Sequence, residues 1–168
     1  MRIAIASDHA GFALKGELVA FLRDGGHEVV DLGPGSDSSV DYPAYGAKLA
    51  AFVAAGEAER GIAICGSGIG IMIAVNREPK CRCALVSEPL SATLSRSHND
   101  ANVLALGARL IGPEMARACV TAFLETDFLG GRHQRRVDML SRPEQEPVSW
   151  PPPRTSMTSS RTASSLAP

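Results

Sequence analysis

Between residue 3 and about residue 140 the chain alternates short, β-rich apolar runs with longer segments whose apolar residues recur at helical spacing. The strand candidates are Ile3 to Ser7, His27 to Leu32, Gly61 to Cys65, Arg82 to Val86 and Val103 to Leu106. Between them, Leu14, Leu18, Phe21 and Leu22 fall at i, i+4, i+7, i+8 and stop at Gly25-Gly26, and Tyr45, Leu49, Phe52 and Val53 repeat the pattern behind a capping Asp41. A further helix is expected from Ser87-Glu88-Pro89, carrying Leu90 and Leu94. Another opens at Pro113 with Met115, Cys119, Ala122 and Phe123 on one face. Such alternation predicts one parallel sheet covered by helices on both faces and joined by right-handed crossovers. The expected fold is an α/β, doubly wound, Rossmann-like single domain with five parallel strands, a size that 168 residues accommodate once.

The composition changes near residue 140. Residues 141–168 hold six of the eleven prolines, no glycine and a Ser/Thr-rich end from Thr155 to Ser165. A segment of that kind cannot bury enough apolar surface to offset its ordering entropy, so a disordered tail, including Trp150, is expected after a domain spanning 1–140. Seventeen basic residues against eighteen acidic leave a net charge of −1, which argues against nucleic-acid or anionic-membrane surfaces built on bulk charge. No apolar run approaches the roughly 20 residues that span a bilayer, and Met1 leads into only a short apolar stretch without a cleavage signal, so the expected location is cytoplasmic. Cys65, Cys81, Cys83 and Cys119 fit no paired CxxC spacing, and neither a bound metal nor a disulfide framework is expected.

Ligands of doubly wound domains sit beyond the carboxyl ends of the strands. Three such ends carry polar groups here: Ser7-Asp8-His9, Cys65-Gly66-Ser67-Gly68 and Ser87-Glu88. The run Ile64-Cys65-Gly66-Ser67-Gly68-Ile69-Gly70 is the most informative, because glycines let several N–H groups point into one concavity and a following helix start adds a positive field. It suits an anion or a developing oxyanion. A dinucleotide fingerprint is disfavoured, since the first strand is followed by Asp8-His9-Ala10-Gly11, and no GKS or GKT triphosphate loop is present. Spacing alone leaves Cys65 open between a base or nucleophile and an inert buried thiol. Cys119 reads as structural. His9, His98 and His133 stand where polar function is plausible, whereas His27 reads as a surface residue. Arg132 and Arg136 lie four apart and could share a helical face suited to phosphate, or form a solvated basic patch; Arg109 is a third candidate for the same anion.

Six stretches in order then carry a resemblance. They are Ser7-Asp8-His9-Ala10-Gly11-Phe12, Asp41-Tyr42-Pro43, Ile64 to Gly70, Ser87-Glu88-Pro89, Ser95-Arg96-Ser97-His98-Asn99-Asp100-Ala101-Asn102-Val103-Leu104, and Gly130-Gly131-Arg132-His133-Gln134-Arg135-Arg136-Val137. Together they resemble the type B ribose-5-phosphate isomerases, in the sugar-phosphate isomerase family that includes the galactose-6-phosphate isomerase subunits. The resemblance covers residues 2 to about 140 and implies interconversion of ribose 5-phosphate and ribulose 5-phosphate through an enediol, with no cofactor and no metal.

It further implies roles for single residues. Cys65 matches the general base between C1 and C2, His98 the group that opens the furanose ring, and Asp8 and His9 a sugar-contacting pair. The turn Gly66, Ser67, Gly68, Ile69, Gly70 would hold the enediolate oxygen, with Asn99, Arg109, Arg132 and Arg136 as further substrate contacts. Ser67 stands where many relatives have threonine; it keeps the hydroxyl and joins Cys65 and His98 in the expected catalytic set. Some relatives use a glutamate elsewhere as the base, but Ile71-Met72-Ile73-Ala74 offers no acid. The partners implied are a pentose phosphate substrate and a second copy of the chain, as a homodimer or a dimer of dimers with sites at the interface. Isomerisation of a six-carbon sugar phosphate, such as allose or galactose 6-phosphate, and non-catalytic sugar-phosphate binding are the alternatives.

Overall fold

The computed structural model describes residues 1–141, and the expectations for the Pro/Ser/Thr-rich segment and Trp150 lie outside the described residues. Five strands form one sheet: β1 (Arg2–Ser7), β2 (Glu28–Asp31), β3 (Arg60–Cys65), β4 (Cys83–Leu85) and β5 (Val103–Gly107). Every pairing is parallel, in the order β2-β1-β3-β5-β4. The connecting helices are α1 (Phe12–Asp24), α2 (Tyr42–Ala54), α3 (Ile69–Val75), α4 (Pro89–Asn99) and α5 (Pro113–Glu125), followed by a 3-10 turn (Gly131–His133) and α6 (Gln134–Leu140).

Period-two alternation divides the strand residues between two cores. Ile3, Ile5, Ile62, Ile64, Leu104 and Leu106 face α1, α4 and α5. Ala4, Ala6, Ala63, Cys65, Val103 and Ala105 face α2 and α3. The second face carries the smaller residues, which lets α2 and α3 lie close to the sheet. Cys65 sits on that face, at the last position of β3.

Two local expectations are adjusted. In α5 the buried stripe is Ala116, Cys119, Val120 and Phe123, while Met115 is 42% exposed. Met115 and Ala116 are adjacent and both apolar, so helical spacing fits a stripe started from either. Asp41 occupies the N-cap of α2 but its side chain makes no capping hydrogen bond. Glu88 caps α4 instead, accepting from the N–H groups of Leu90 (2.6 Å) and Ser91 (2.7 Å). Hydrogen bonding from Ser91 above all holds the Glu88 carboxyl below its ordinary range.

Candidate active site

β1 and β3 are neighbours whose chains leave to opposite faces, β1 into α1 and β3 into α3. A crevice must open between such strand ends. A cleft of about 330 Å³ lies there, lined by Asp8, His9, Ala10, Tyr42, Cys65, Gly66, Ser67, Gly70, Arg109 and Leu110. That is the lower end of the range for small-molecule sites.

Each wall is held by the fold. Asp8 is buried, and its Oδ1 accepts the Gly11 N–H at 3.0 Å, at the start of α1. The His9 ring is fixed through Nδ1 by the backbone of Val40, with the carbonyl oxygen at 3.1 Å and the nitrogen at 3.3 Å. Arg109 follows β5; its N–H donates to the Gly66 carbonyl (3.0 Å), and its side chain runs over Gly66, with Nε 3.4 Å from where a Cβ would stand.

The turn after β3 has a defined division of labour. Gly68 has φ +76°, and a Cβ there would lie 2.9 Å from the Leu106 carbonyl carbon, so the position requires glycine. In that conformation the Gly68 N–H donates to Cys65 Sγ at 3.1 Å, so negative charge on the sulfur faces a donor. Ser67 Oγ accepts from the Ile69 N–H at 3.3 Å, which leaves the hydroxyl hydrogen to donate elsewhere. Gly70 is the second residue of α3, so its N–H has no acceptor within the helix. It lies directly under the Tyr42 ring, where a Cβ would come within 2.6 Å of Cζ. The Ile69 side chain is not part of the lining and is 48% exposed.

Burial pushes Cys81 up to about 11 and raises Cys83 and Cys119, so they remain thiols at neutral pH. Cys65 alone of the four lines this cleft. Among the described residues no three His, Cys, Asp or Glu side chains cluster closely enough to hold a metal ion, and no helix is long and apolar enough to cross a membrane.

His98, Asn99, Arg132 and Arg136 are not in this cleft. α4 starts beyond the carboxyl end of β4 and runs back for 11 residues, roughly 16 Å, to the amino ends of the strands. There Arg82, just before β4, donates to the carbonyls of Asn99 (3.1 Å) and Asp100 (2.9 Å). The segment after α5 packs on the same end, with the Leu129 N–H donating to the Ser97 carbonyl at 3.1 Å. His133 stacks on His98, ring centroids 4.4 Å apart and planes within 6°. Arg132 and Arg136 are exposed beside this pair. One chain therefore carries two polar groupings at opposite ends of its sheet.

A cavity of about 370 Å³ also lies at the second end, between Asn76, Pro79, Cys81 to Ala84, Ser95, Asn99, Ala101 and Leu140. Its polar side chains serve the fold: the Asn76 amide bonds both the carbonyl and the N–H of Cys83, at 2.9 and 2.8 Å, and Arg82 pairs with Asp100 at 2.7 Å. Two further residues belong to the groupings: Tyr42, and His133, which the sequence marks as a histidine placed for polar function though not among the expected substrate contacts. Tyr42 stood in the Asp41-Tyr42-Pro43 stretch, where an aromatic ring at a helix start beyond a strand end was an available signal. His133 had the Gly130-Gly131 bend before it.

Residues 3–140 match the family model described as Ribose/Galactose Isomerase. The chain is similar to ribose-5-phosphate isomerase B of Escherichia coli strain K12, with 49% identity over 144 residues, 86% of this chain and 97% of that protein. Among solved structures, it is similar to ribose-5-phosphate isomerase B of Clostridium thermocellum, with TM-score 0.83, 48% identity, and 84% and 95% of the two chains covered. The ribose 5-phosphate isomerase of Thermotoga maritima gives a TM-score of 0.82 at 48% identity, over 83% and 97%.

Proposed function

The chain belongs to the ribose/galactose isomerase family, and from that premise we propose that it interconverts ribose 5-phosphate and ribulose 5-phosphate, with Cys65 as general base. The observation that carries the proposal is the Gly68 N–H on the Cys65 sulfur inside a cleft walled by Asp8, His9 and Arg109. On the open-chain aldose, the Cys65 thiolate takes the proton from C2 while the C1 carbonyl oxygen gains charge. The resulting enediolate is held by the Gly70 N–H and the Ser67 hydroxyl, donors fixed before the charge develops. Cys65 returns its proton to C1, the O2 proton passes to O1 by way of Ser67, and the 2-ketose results. Arg109 supplies a guanidinium to the anionic end of the substrate.

Ribose 5-phosphate is mainly a furanose, so isomerisation needs ring opening. His98 delivers a proton to the ring oxygen as the C1–O4 bond breaks, and the anomeric hydroxyl gives up its proton to solvent as it becomes the carbonyl. Since His98 and Cys65 stand at opposite ends of one chain, the working site takes Cys65 from one copy and His98, Asn99, Arg132 and Arg136 from a second. Exposed apolar side chains are available for such an association: Ile69 and Ile73 on α3, and Leu90 and Leu94 on α4. A two-fold axis makes the exchange reciprocal, giving two identical sites per dimer.

The test is incubation with ribose 5-phosphate. Ribulose 5-phosphate is expected, at a kcat/KM well above those for allose 6-phosphate and galactose 6-phosphate. A preference for a six-carbon substrate would overturn the assignment of substrate, and binding without ketose formation would overturn the assignment of activity.

A further inference from the structure

His133 sits in a single 3-10 turn on the outside of the domain, flanked by exposed residues, yet it is only 7% exposed itself. The chain bends to bury it: Gly130 and Gly131 both have positive φ, at +59° and +55°. The bend is anchored on α4, where the Leu129 N–H donates to the Ser97 carbonyl and Arg96 Nε donates to the Thr126 carbonyl at 3.3 Å. Its product is the flat stack of the His133 ring on that of His98. Parallel rings at this centroid distance are offset-stacked, an arrangement that aromatic pairs favour, whereas two charged imidazoles at 4.4 Å would repel. A parallel stack therefore suits a pair of which at least one ring is neutral.

His133 is that ring. Burial first, then the positive charge of His98, Arg132 and Arg136, holds its imidazole below the ordinary range. Arg132 Nε donates to His133 Nε2 at 3.5 Å, a contact that requires a lone pair on that nitrogen.

We infer that His133 is a positioning residue for His98, its stacked ring fixing the plane in which the His98 imidazole meets the substrate's ring oxygen. This rests on the ring-opening role of His98 proposed above. A proton delivered to a breaking C–O bond must arrive along a narrow direction, and an imidazole near a helix end has two free side-chain torsions. The stack removes that freedom from one side and leaves the ring edge open.

Forward and reverse kcat/KM are tied by the equilibrium constant, so the two reaction directions cannot isolate ring opening. A second substrate can. Ribose 5-phosphate is compared with its 4-deoxy analogue, which lacks O4, cannot form the furanose and keeps the phosphate. His133→Ala is expected to lower kcat/KM for ribose 5-phosphate at least tenfold more than for the analogue, and His133→Phe, which keeps a flat neutral ring, to restore the ratio to within about threefold of the parent. Proton NMR supplies a readout independent of turnover: the His98 ring protons, shifted upfield by the stacked ring, should return toward ordinary positions in His133→Ala and stay shifted in His133→Phe. Equal losses on both substrates, or His98 protons unmoved in His133→Ala, would overturn the inference. A His98→Asn variant that shows no discrimination between the substrates would instead remove the ring-opening role, leaving the NMR result to judge the stack alone.

Discussion

Cys65 and Cys119 are both buried cysteines with apolar neighbours, and their difference lies in what each sulfur meets. Cys119 packs inside the α5 stripe, where burial first and the Glu88 charge second raise its thiol above the ordinary range. Cys65 ends a strand, receives the Gly68 N–H and opens to the cleft. General acid–base groups are worth roughly 10²- to 10⁴-fold, so Cys65→Ser should lower kcat by at least about a hundredfold with little change in unfolding free energy or substrate affinity. Cys119→Ser should leave kcat within about threefold of the parent; steady-state kinetics of the two variants side by side decides it, and near-parental turnover by Cys65→Ser would contradict the role. The residue types of this cleft were legible in the sequence because they stand at fixed offsets within one short run: a strand, a cysteine at its end, then glycines. Tyr42 and His133 were less so. Tyr42 matters because Gly70 lets its ring approach, and His133 because two positive-φ glycines bend it onto another helix; both are contacts between segments far apart in the chain.

At the scale of elements, all five strands and the helices between them follow from periodicity and punctuation. β4 is shortened from the expected 82–86 to Cys83–Leu85, with its start tied to Asn76, whereas α4 begins at Pro89, within the expected Ser87-Glu88-Pro89 start, because Glu88 supplies the cap. Helical spacing does not fix the register where two apolar residues stand together, as Met115 and Ala116 do. Cys81, just before β4, packs against α2 and contacts the Ala50 carbonyl at 3.5 Å. Its thiol is raised from 9.0 to about 11 by burial first and the Glu78 charge second. The unfolded chain therefore loses this proton at lower pH than the folded one. The stability it contributes is fully present below about pH 9 and is lost as the pH rises towards about 11, at no more than about 1.4 kcal/mol per pH unit. Urea unfolding of the parent and of Cys81→Ala across this range should show a shallower alkaline decline in the variant; parallel declines would mean that Cys81 stays un-ionised in both states or titrates equally in both.

For the whole molecule, the resemblance implied sites shared between two copies but not which of the candidate residues one chain holds apart. Chain direction does that: in a parallel sheet every strand end faces one way, and a helix returning from β4 must leave His98 at the other end. The same geometry places the arginines. A charge-assisted phosphate contact is worth about 1.5–3 kcal/mol, so Arg136→Ala should weaken substrate binding roughly ten- to a hundredfold, read as a rise in Kd for a non-isomerising pentitol 5-phosphate. An unchanged Kd would return Arg136 to the solvated surface. The central claim, that one site draws on two copies, is tested most directly by mixing Cys65→Ser and His98→Asn proteins under conditions of confirmed subunit exchange and assaying ribose 5-phosphate isomerisation. Each mixed dimer then has one site with both changes and one with neither. With half the dimers mixed, activity should recover to about one quarter of the parent's from two nearly inactive proteins. Exchange without recovery would mean that Cys65 and His98 do not act in a shared site between two chains.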